Sequence, residues 1–219
     1  MPRALFEKTG NAVFISHLDL MRLFQRAFKR AGLHLTHTQG YNPRPSVSMA
    51  LPLSLGMESK CELMDFELEG DIPENDEVLT RLNQSLISGV RVLSIYDNAS
   101  KIKNLSFLDC ILTLEYDDGV PERGKERIEE LFQSKQLLLE KKSKNVITEQ
   151  DIIPMVKRIQ VEVLNEKEIA LRARVCCQNP ALNPMQLYAA IIKFLPELAP
   201  NHVRCCREEI YDTNETVFR

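Results

Sequence analysis

A histidine and a carboxylate lie two residues apart in the segment Ser16-His17-Leu18-Asp19. Imidazole titrates near neutral pH and can exchange protons with a substrate, and a neighbouring carboxylate can orient it. His17 and Asp19 are therefore the candidate catalytic residues of this sequence. The same segment also fits a helix start, with Ser16 as N-cap and Asp19 reaching back as in a capping box, where Glu is more usual. The sequence leaves both interpretations open.

A second group of residues suits anion binding and lies in the loop at 39–45, Gln-Gly-Tyr-Asn-Pro-Arg-Pro. Its two prolines bias the residues before them toward extended conformations, so the Arg44 guanidinium loses little entropy when it engages an anion. Tyr41 offers a ring for stacking, and Gln39 and Asn42 offer hydrogen-bond donors and acceptors. A rigid connector between two strands would use the same prolines, so a purely structural role stays open.

The helix predicted over 16–31 separates apolar from charged residues at about 100° per residue. One arc carries Leu20, Met21, Leu23, Phe24, Ala27, Phe28 and Ala31, and the opposite arc carries Asp19, Arg22, Arg26, Lys29 and Arg30. Arg22 and Arg26 are candidate phosphate-binding residues beside the loop. The alternative is that the cations simply form a solvated helix face and bind no ligand. We favour it for Lys29 and Arg30, since cations near a helix C-terminus also stabilise the macrodipole.

Neither the histidines nor the cysteines predict a metal site. On the strand predicted over 33–38, His34 and His37 are three residues apart and point to opposite faces, so they cannot easily share one ion. The vicinal pairs Cys176-Cys177 and Cys205-Cys206 lack the Cys-x₂-Cys spacing of zinc sites, and buried thiols explain them more simply. We therefore expect no metal and no bound cofactor.

The elements that position these residues form two similar series. The first half, 1–98, is predicted to contain strand 3–8 with a second piece at 12–15, helix 16–31, strand 33–38, an apolar run at 46–55, half-buried strand 61–68, helix 73–87 and strand 90–96. A polar link at 97–104 leads to the second half, 105–219. That half is predicted to contain strand 108–116, helix 121–134, strand 137–142, a polar excursion at 143–150, a hairpin of strands 157–164 and 169–177, helix 184–195 and strand 203–211.

Both series fit the split βαβ pattern, with one extra strand in the second. The predicted fold class is therefore α+β, with two tandem ferredoxin-like halves and antiparallel sheets. The cysteine usage, the absence of an apolar leader and the lack of an uncharged apolar run of ~20 residues predict a cytoplasmic protein with reduced thiols and no membrane contact.

The net charge of −3 conceals an uneven distribution along the chain. Residues 1–60 carry eight Lys and Arg against three Asp and Glu, whereas residues 61–119 carry four against thirteen. A basic segment in an acidic chain indicates an anionic partner, RNA for example, that is met locally. The alternative is that the basic and acidic segments neutralise each other's charge across neighbouring elements.

Three segments have a specific combination of content and spacing: FISHLDLMR at 14–22 with Arg26, TQGYNPRP at 38–45, and LPLSLGMES at 51–59. Together they resemble a bacterial family of uncharacterised radical-SAM-linked proteins, a domain of unknown function beside or fused to a cobalamin-binding radical SAM enzyme. The resemblance covers about residues 3–70 and implies a radical SAM protein as partner. Since the chain has no Cys-x₃-Cys-x₂-Cys motif for an iron–sulfur cluster, we expect it not to start radical chemistry alone.

Three functions follow as alternatives. The first is an accessory module that binds RNA or presents a substrate to the radical SAM enzyme, with phosphates held by the basic helix and loop and an unpaired base stacked on Tyr41. Recognition by a sheet face is disfavoured, because Phe6, Phe14 and Phe66 are all expected in the core.

The second alternative is an enzyme that modifies or cleaves RNA by itself, with His17 as general acid–base and Arg22, Arg26 and Arg44 as charge stabilisers. Its basis is a similarity of architecture to CRISPR repeat-cleaving endonucleases, which also have two tandem ferredoxin-like halves. The third is a protein-interaction scaffold without nucleic acid, which would dock the enzyme through 61–119 or the second half.

Overall fold

The structure, a computed structural model, describes residues 1–97, 99–143 and 146–219. Within these ranges it has four α-helices and ten β-strands. The chain divides into two compact units, residues 1–104 with Arg219, and residues 105–218. Across the described ranges, no helix is both long enough and apolar enough to cross a membrane. The boundary predicted at residue 98 lies outside the described residues.

The first unit contains an antiparallel sheet and two α-helices. Its elements are β1 (Arg3–Lys8), α1 (His17–Arg30), β2 (Val47–Met49), β3 (Glu58–Phe66), α2 (Asn75–Ser85) and β4 (Val90–Tyr96). Strand β1 lies between β4 and β3, and β2 pairs with β3. The core is formed by buried apolar residues of β1, β3, β4 and both helices.

Helix α1 forms because its sequence provides a cap, an apolar face and a stop. The Ser16 hydroxyl accepts a hydrogen bond from the Asp19 N–H at 3.2 Å, which satisfies one free donor of the first turn. The buried face includes Phe24, whose ring packs edge-on against Phe6 with centroids 4.8 Å apart. Gly32, with φ of +69°, follows the helix and turns the chain away, as a glycine at that position usually does.

The second unit repeats this arrangement around a longer sheet. Its elements are β5 (Leu105–Glu115), α3 (Gly124–Phe132), β6 (Leu138–Ser143), β7 (Val146–Asp151), β8 (Val156–Asn165), β9 (Glu168–Cys176), α4 (Met185–Phe194) and β10 (His202–Asp212). The strand order is β10-β5-β9-β8, with every pair antiparallel, and β6 and β7 form a separate hairpin. The α+β class with antiparallel pairing is thus confirmed, whereas the assignment of both halves as ferredoxin-like stays a prediction.

The strand piece predicted at 12–15 is wrong. These residues overlap a 3₁₀ helix, Gly10–Phe14, closed by a hydrogen bond from the Ile15 N–H to the Ala12 carbonyl oxygen at 3.0 Å. A four-residue apolar run does not distinguish a strand from a buried helical turn.

The strand predicted at 33–38 is also wrong. The segment makes only isolated bridges, because its N–H groups donate in turn to different neighbours: Thr36 to Glu67 at 2.9 Å and Thr38 to Arg44 at 2.9 Å. The segment therefore does not pair along its length with one neighbouring strand. The apolar run at 46–55 contributes only the three residues of β2.

Two further predictions need correction. Strand β3 is not half-buried, since Glu62 and Met64 on one parity and Cys61 and Leu63 on the other are all buried, as in a strand covered on both faces. The second unit has two strands more than the split βαβ pattern, whereas one extra strand was predicted. The additional strand is β7, which contains most of the polar excursion predicted at 143–150. Residues 144 and 145 of that excursion lie outside the described residues.

Candidate nucleic-acid interface

The loop that follows α1 is closed at its base and exposed at its tip. The Thr38 N–H donates to the Arg44 carbonyl oxygen at 2.9 Å, and the Arg44 N–H donates to the Thr38 hydroxyl at 3.0 Å. His37 and Pro45 form a bridge just below these bonds. Tyr41 has a relative exposure of 101% and stands clear of the rest of the unit. These bonds fix the base of the loop and leave the ring of Tyr41 accessible at its tip.

All four loop residues predicted to bind a ligand are exposed: Gln39, Tyr41, Asn42 and Arg44. Arg22 and Arg26 are exposed on the outer face of α1, as the helical pattern predicts. We call these six residues the helix–loop surface. Its two parts adjoin, since Gln25, Phe28 and Lys29 of α1 line one cavity with His37 and Pro45 at the base of the loop.

The cations of α1 differ in what they contact. Arg22 makes a solvent-exposed ion pair with Asp19, Nη1 to Oδ1 at 3.0 Å, which water screens strongly. Arg30 donates from Nη2 to the Ser85 carbonyl oxygen at 2.6 Å and so joins α1 to the end of α2. This contact gives Arg30 a structural role.

His17 and Asp19 are not brought together as a catalytic pair. Both lie in the first turn of α1, but residues two apart on a helix do not face each other. Asp19 instead accepts a hydrogen bond from the Ser16 hydroxyl at 2.7 Å, and this bond, followed by that from Arg22, lowers the pKa of the Asp19 carboxyl below its usual value. Asp19 therefore serves the helix start in this structure.

A cavity of about 320 Å³ lies between α1 and the base of the loop. Its polar lining residues are Gln25, Lys29, His34, His37 and Glu69. Its apolar lining residues are Phe28, Leu33, Leu35 and Pro45. We call it the His34–His37 pocket.

His34 and His37 both line this pocket, together with Leu33 and Leu35 of the same segment. The alternation of a regular strand does not apply to a segment that makes only isolated bridges. Among the described residues, no three His, Cys, Asp or Glu side chains lie together in a group able to hold a metal ion.

Phe14 was expected in the core and is 73% exposed, so that prediction is wrong, whereas Phe6 and Phe66 are buried as expected. Leu18 and Leu55 are also exposed, at 67% and 63%. A hydrogen bond from the Gly56 N–H to the Val13 carbonyl oxygen at 2.9 Å joins the turn that carries Leu55 to the segment that carries Phe14. We call Phe14, Leu18 and Leu55 the apolar patch.

Lys8 holds the segment that carries Phe14 in place, although it is not among the site residues predicted from the sequence. Its side chain is 1% exposed, and its ammonium group donates to the carbonyl oxygens of Val13 at 3.2 Å and Ile15 at 2.8 Å. A sequence signal did exist: Lys8 shares the strand parity of the buried residues Ala4 and Phe6, so it had to point inward.

The second unit contains a network of charged residues on its sheet. Arg174, 7% exposed, donates to both carboxylate oxygens of Asp109 at 2.7 and 3.0 Å, stacks on Tyr211 with 3.8 Å to the ring centroid and pairs with Glu215. Arg158 contacts the same carboxylate at 2.8 Å. Burial raises the pKa of Asp109, but the hydrogen bonds and charge of Arg174 outweigh it and leave the pKa below its usual value.

Residues of this network also line a cavity of about 610 Å³, together with Gln160, Arg172 and Glu208. Its cations face carboxylates at close range, so the cavity does not present the net positive charge that a nucleic acid requires. The network instead joins strands β5, β8 and β9 of the unit through Asp109, Arg158 and Arg174.

Comparison with known proteins identifies a family and a fold. A family model described as an uncharacterized protein conserved in bacteria (DUF2344) matches residues 2–184. No curated protein matches the sequence.

Among solved structures, a chain in the crystal structure of a Cbf5–Nop10–Gar1 complex is 9% identical, with a TM-score of 0.54. The match covers 95% of this chain and 48% of that one, so this chain spans about half its length, and the likeness concerns the fold alone. An unknown protein from Galdieria sulphuraria aligns over 97% of both chains at 10% identity, with a TM-score of 0.27.

Proposed function

The chain belongs to a family of uncharacterised proteins conserved in bacteria (DUF2344), and we propose that it binds RNA through the helix–loop surface as an accessory protein of a radical SAM enzyme. The observation that carries this proposal is the loop closed by Thr38 and Arg44, which presents a fully exposed Tyr41 beside a basic helix face.

Single-stranded RNA is recognised by aromatic rings that stack on unpaired bases and by cations that bind phosphates. Tyr41 would stack on a base, and Arg22, Arg26 and Arg44 would bind the backbone on either side of it. The exposed ring of Phe14 adds a second aromatic surface near the start of α1. This arrangement suits a flexible strand better than a duplex, since a ring at a loop tip needs an unstacked base.

The radical SAM partner follows from the resemblance of the segments at 14–22, 38–45 and 51–59 to radical-SAM-linked proteins. In this proposal the partner supplies the iron–sulfur chemistry, and this chain holds the RNA. We also propose that each unit is a ferredoxin-like module, since both place the first strand between the last strand and the strand that precedes the second helix.

The proposal is tested by fluorescence anisotropy with labelled single-stranded RNA across a salt series. The variant Arg22→Ala/Arg26→Ala/Arg44→Ala should bind more weakly, and its salt slope should fall by about 0.7 for each phosphate that the variant no longer binds. The control variant Arg91→Ala/Lys101→Ala/Lys103→Ala removes the same charge from exposed positions of the same unit and should bind as the wild type does. Absence of wild-type binding at low salt would refute RNA as the ligand.

A role in protein docking is the second candidate, and the apolar patch favours it. Exposed apolar side chains that cluster on a surface often mark a protein contact. Phe14→Ser/Leu18→Ser should then abolish co-purification with the radical SAM protein and leave RNA affinity unchanged. Loss of RNA affinity with intact co-purification would instead assign Phe14 to the RNA.

A further inference from the structure

We infer that the His34–His37 pocket holds one unpaired nucleotide of the bound RNA, with a base that presents an amino group, namely adenine, cytosine or guanine. This inference rests on the proposed function and assigns a substrate class to a cavity next to the helix–loop surface. The pocket has a volume of about 320 Å³, within the range of about 300–1,000 Å³ that small-molecule sites occupy.

The walls of the pocket are fixed by backbone hydrogen bonds. The Leu33 N–H donates to the Phe28 carbonyl oxygen at 3.0 Å and holds the segment that follows Gly32 against the end of α1. On the opposite side the Glu69 N–H donates to the His34 carbonyl oxygen at 2.9 Å. The cavity is therefore formed before a ligand arrives, which keeps the entropic cost of binding low.

The polar side chains of the pocket are available to a ligand. Lys29, His34, His37 and Glu69 are exposed, and Gln25 is half-buried. Within the described ranges, the side chains of these five residues make no hydrogen bond or ion pair with another residue. Five polar residues that line one cavity therefore provide donors and acceptors for a polar ligand.

The apolar, accepting and cationic side chains of the pocket together indicate which class of ligand fits it. The buried side chains of Leu33 and Leu35 provide an apolar floor for the face of a base. The Glu69 carboxylate only accepts hydrogen bonds, so it binds the exocyclic amino group of cytosine and disfavours the carbonyl oxygen that uracil presents at the same position. The Lys29 ammonium group, on the α1 side of the pocket, would bind the phosphate. A nucleotide combines the three matching features: an apolar base face, an amino group that donates and an anionic phosphate.

The position of the pocket links it to the helix–loop surface. Its lining includes His37 and Pro45, which form the bridge at the base of the loop, and three residues of α1 that flank Arg26 in sequence, Gln25, Phe28 and Lys29. A strand of RNA that contacts Arg26 and Tyr41 would pass the mouth of the pocket and could place one base inside it. The pocket would then read the base, whereas the surface binds the backbone.

The test uses the full chain with cytidine and uridine monophosphates, followed by the imidazole signals of its four histidines in NMR spectra. The signals of His34 and His37 should shift on addition of cytidine monophosphate, and those of His17 and His202 should not. Cytidine monophosphate should bind about fivefold more tightly than uridine monophosphate, the lower end of the discrimination that one good base-edge contact gives.

Glu69→Gln should bring the two affinities to within about twofold, since an amide can also donate to the uracil carbonyl. Glu74→Gln, at another exposed carboxylate of the same unit, is the matched control and should keep the preference. Equal shifts at all four histidines, no shift at His34 and His37, or a preference that survives Glu69→Gln would overturn the inference.

The outcome separates the two proposals. Salt-dependent RNA binding by the wild type, lost in the Arg22, Arg26 and Arg44 variant but unaccompanied by histidine shifts with nucleotides, would retain the RNA function and reject the pocket. Nucleotide binding in the pocket without any RNA binding would reject the proposed function and leave a nucleotide site.

Discussion

Asp109 accepts hydrogen bonds from two arginines, of which Arg174 is almost fully buried. The Asp109→Asn variant keeps the shape of the side chain but removes the charge that both guanidinium groups require. We expect the free energy of unfolding to fall by about 2 kcal/mol, the size of a hydrogen bond to a charged group. Urea titration of both proteins measures the difference.

The pH dependence of this contribution follows from the lowered pKa of Asp109. A carboxyl whose pKa is lower in the folded state stabilises the protein above its unfolded-state pKa, and this stabilisation is lost as the pH falls through the folded-state pKa. The difference between wild type and Asp109→Asn should therefore be full at about pH 7 and shrink toward about pH 3. Glu162→Gln, which breaks the exposed pair with Arg172, should cost only about 0.5 kcal/mol.

Ser16 provides a second test at a single residue. Ser16→Ala removes the cap of α1 and should lower the free energy of unfolding by about 1 kcal/mol. It also removes the hydroxyl that is the main cause of the lowered Asp19 pKa, so the pKa of Asp19 should rise toward its usual value. An NMR titration of the Asp19 carboxyl measures this shift. An unchanged Asp19 pKa would contradict the hydrogen bond between the two side chains.

Burial of individual residues could be predicted only where a periodic element supports the pattern. The buried face of α1 follows from its spacing, and the inward position of Lys8 was available from strand parity. Phe14 lies in a five-residue 3₁₀ helix with no period to assign its face, so residue type alone suggested the core. The six predicted binding residues were found at exposed positions, but the pocket beside them needs contacts between distant parts of the chain.

Among the elements, the loop at 39–45 depends on the hydrogen bonds at its base. Thr38→Val keeps the shape of the side chain and removes the hydroxyl that accepts from the Arg44 N–H. Because the loop would become less ordered when free, RNA affinity should fall a few-fold, about 1 kcal/mol or less, while the unfolding midpoint stays nearly constant.

Thr80→Val is the matched control for this variant. The Thr80 hydroxyl is exposed on α2 and donates to the Asp76 carbonyl oxygen at 2.8 Å, so its loss should not affect RNA binding. Equal affinity of the Thr38→Val and Thr80→Val variants, each measured by anisotropy, would show that the loop base does not contribute.

Elements with a strong period and clear stop signals could be predicted closely from the sequence. Strands β1 and β4 have the predicted bounds, and the hairpin of β8 and β9 turns at the expected polar residues. Strand β7 was missed because its sequence, Val-Ile-Thr-Glu-Gln-Asp, is largely polar and acquires strand structure by pairing with β6. Pairing with the preceding strand of the hairpin, which the polarity of the sequence did not reveal, decided that element.

At the scale of the whole molecule, the six cysteines predict how the native protein reacts with thiol reagents. All six are thiols outside any disulfide bond, and Cys206 is half-buried whereas the other five are buried. Burial raises the pKa of Cys177 and Cys205 to about 12 and that of Cys110 well above its usual value, so few thiolates exist near neutral pH.

Alkylation of the native protein at about pH 8 should therefore modify Cys206 first and the other five slowly. Mass spectrometry of the digested protein identifies the modified residues. Cys206→Ser should remove the fast reaction, and unfolding in urea should restore reactivity to all remaining thiols. Rapid modification of several cysteines in the folded protein would contradict the burial of these side chains.

The exposure of Tyr41 also gives the protein an optical signal. The chain has no tryptophan, so its near-ultraviolet emission comes from five tyrosines, of which the other four are buried or half-buried. Iodide, a quencher that collides only with accessible rings, should dim one tyrosine far more than the others. A base stacked on that ring would shield it from iodide, and binding could then be followed in the unmodified protein without a fluorescent label.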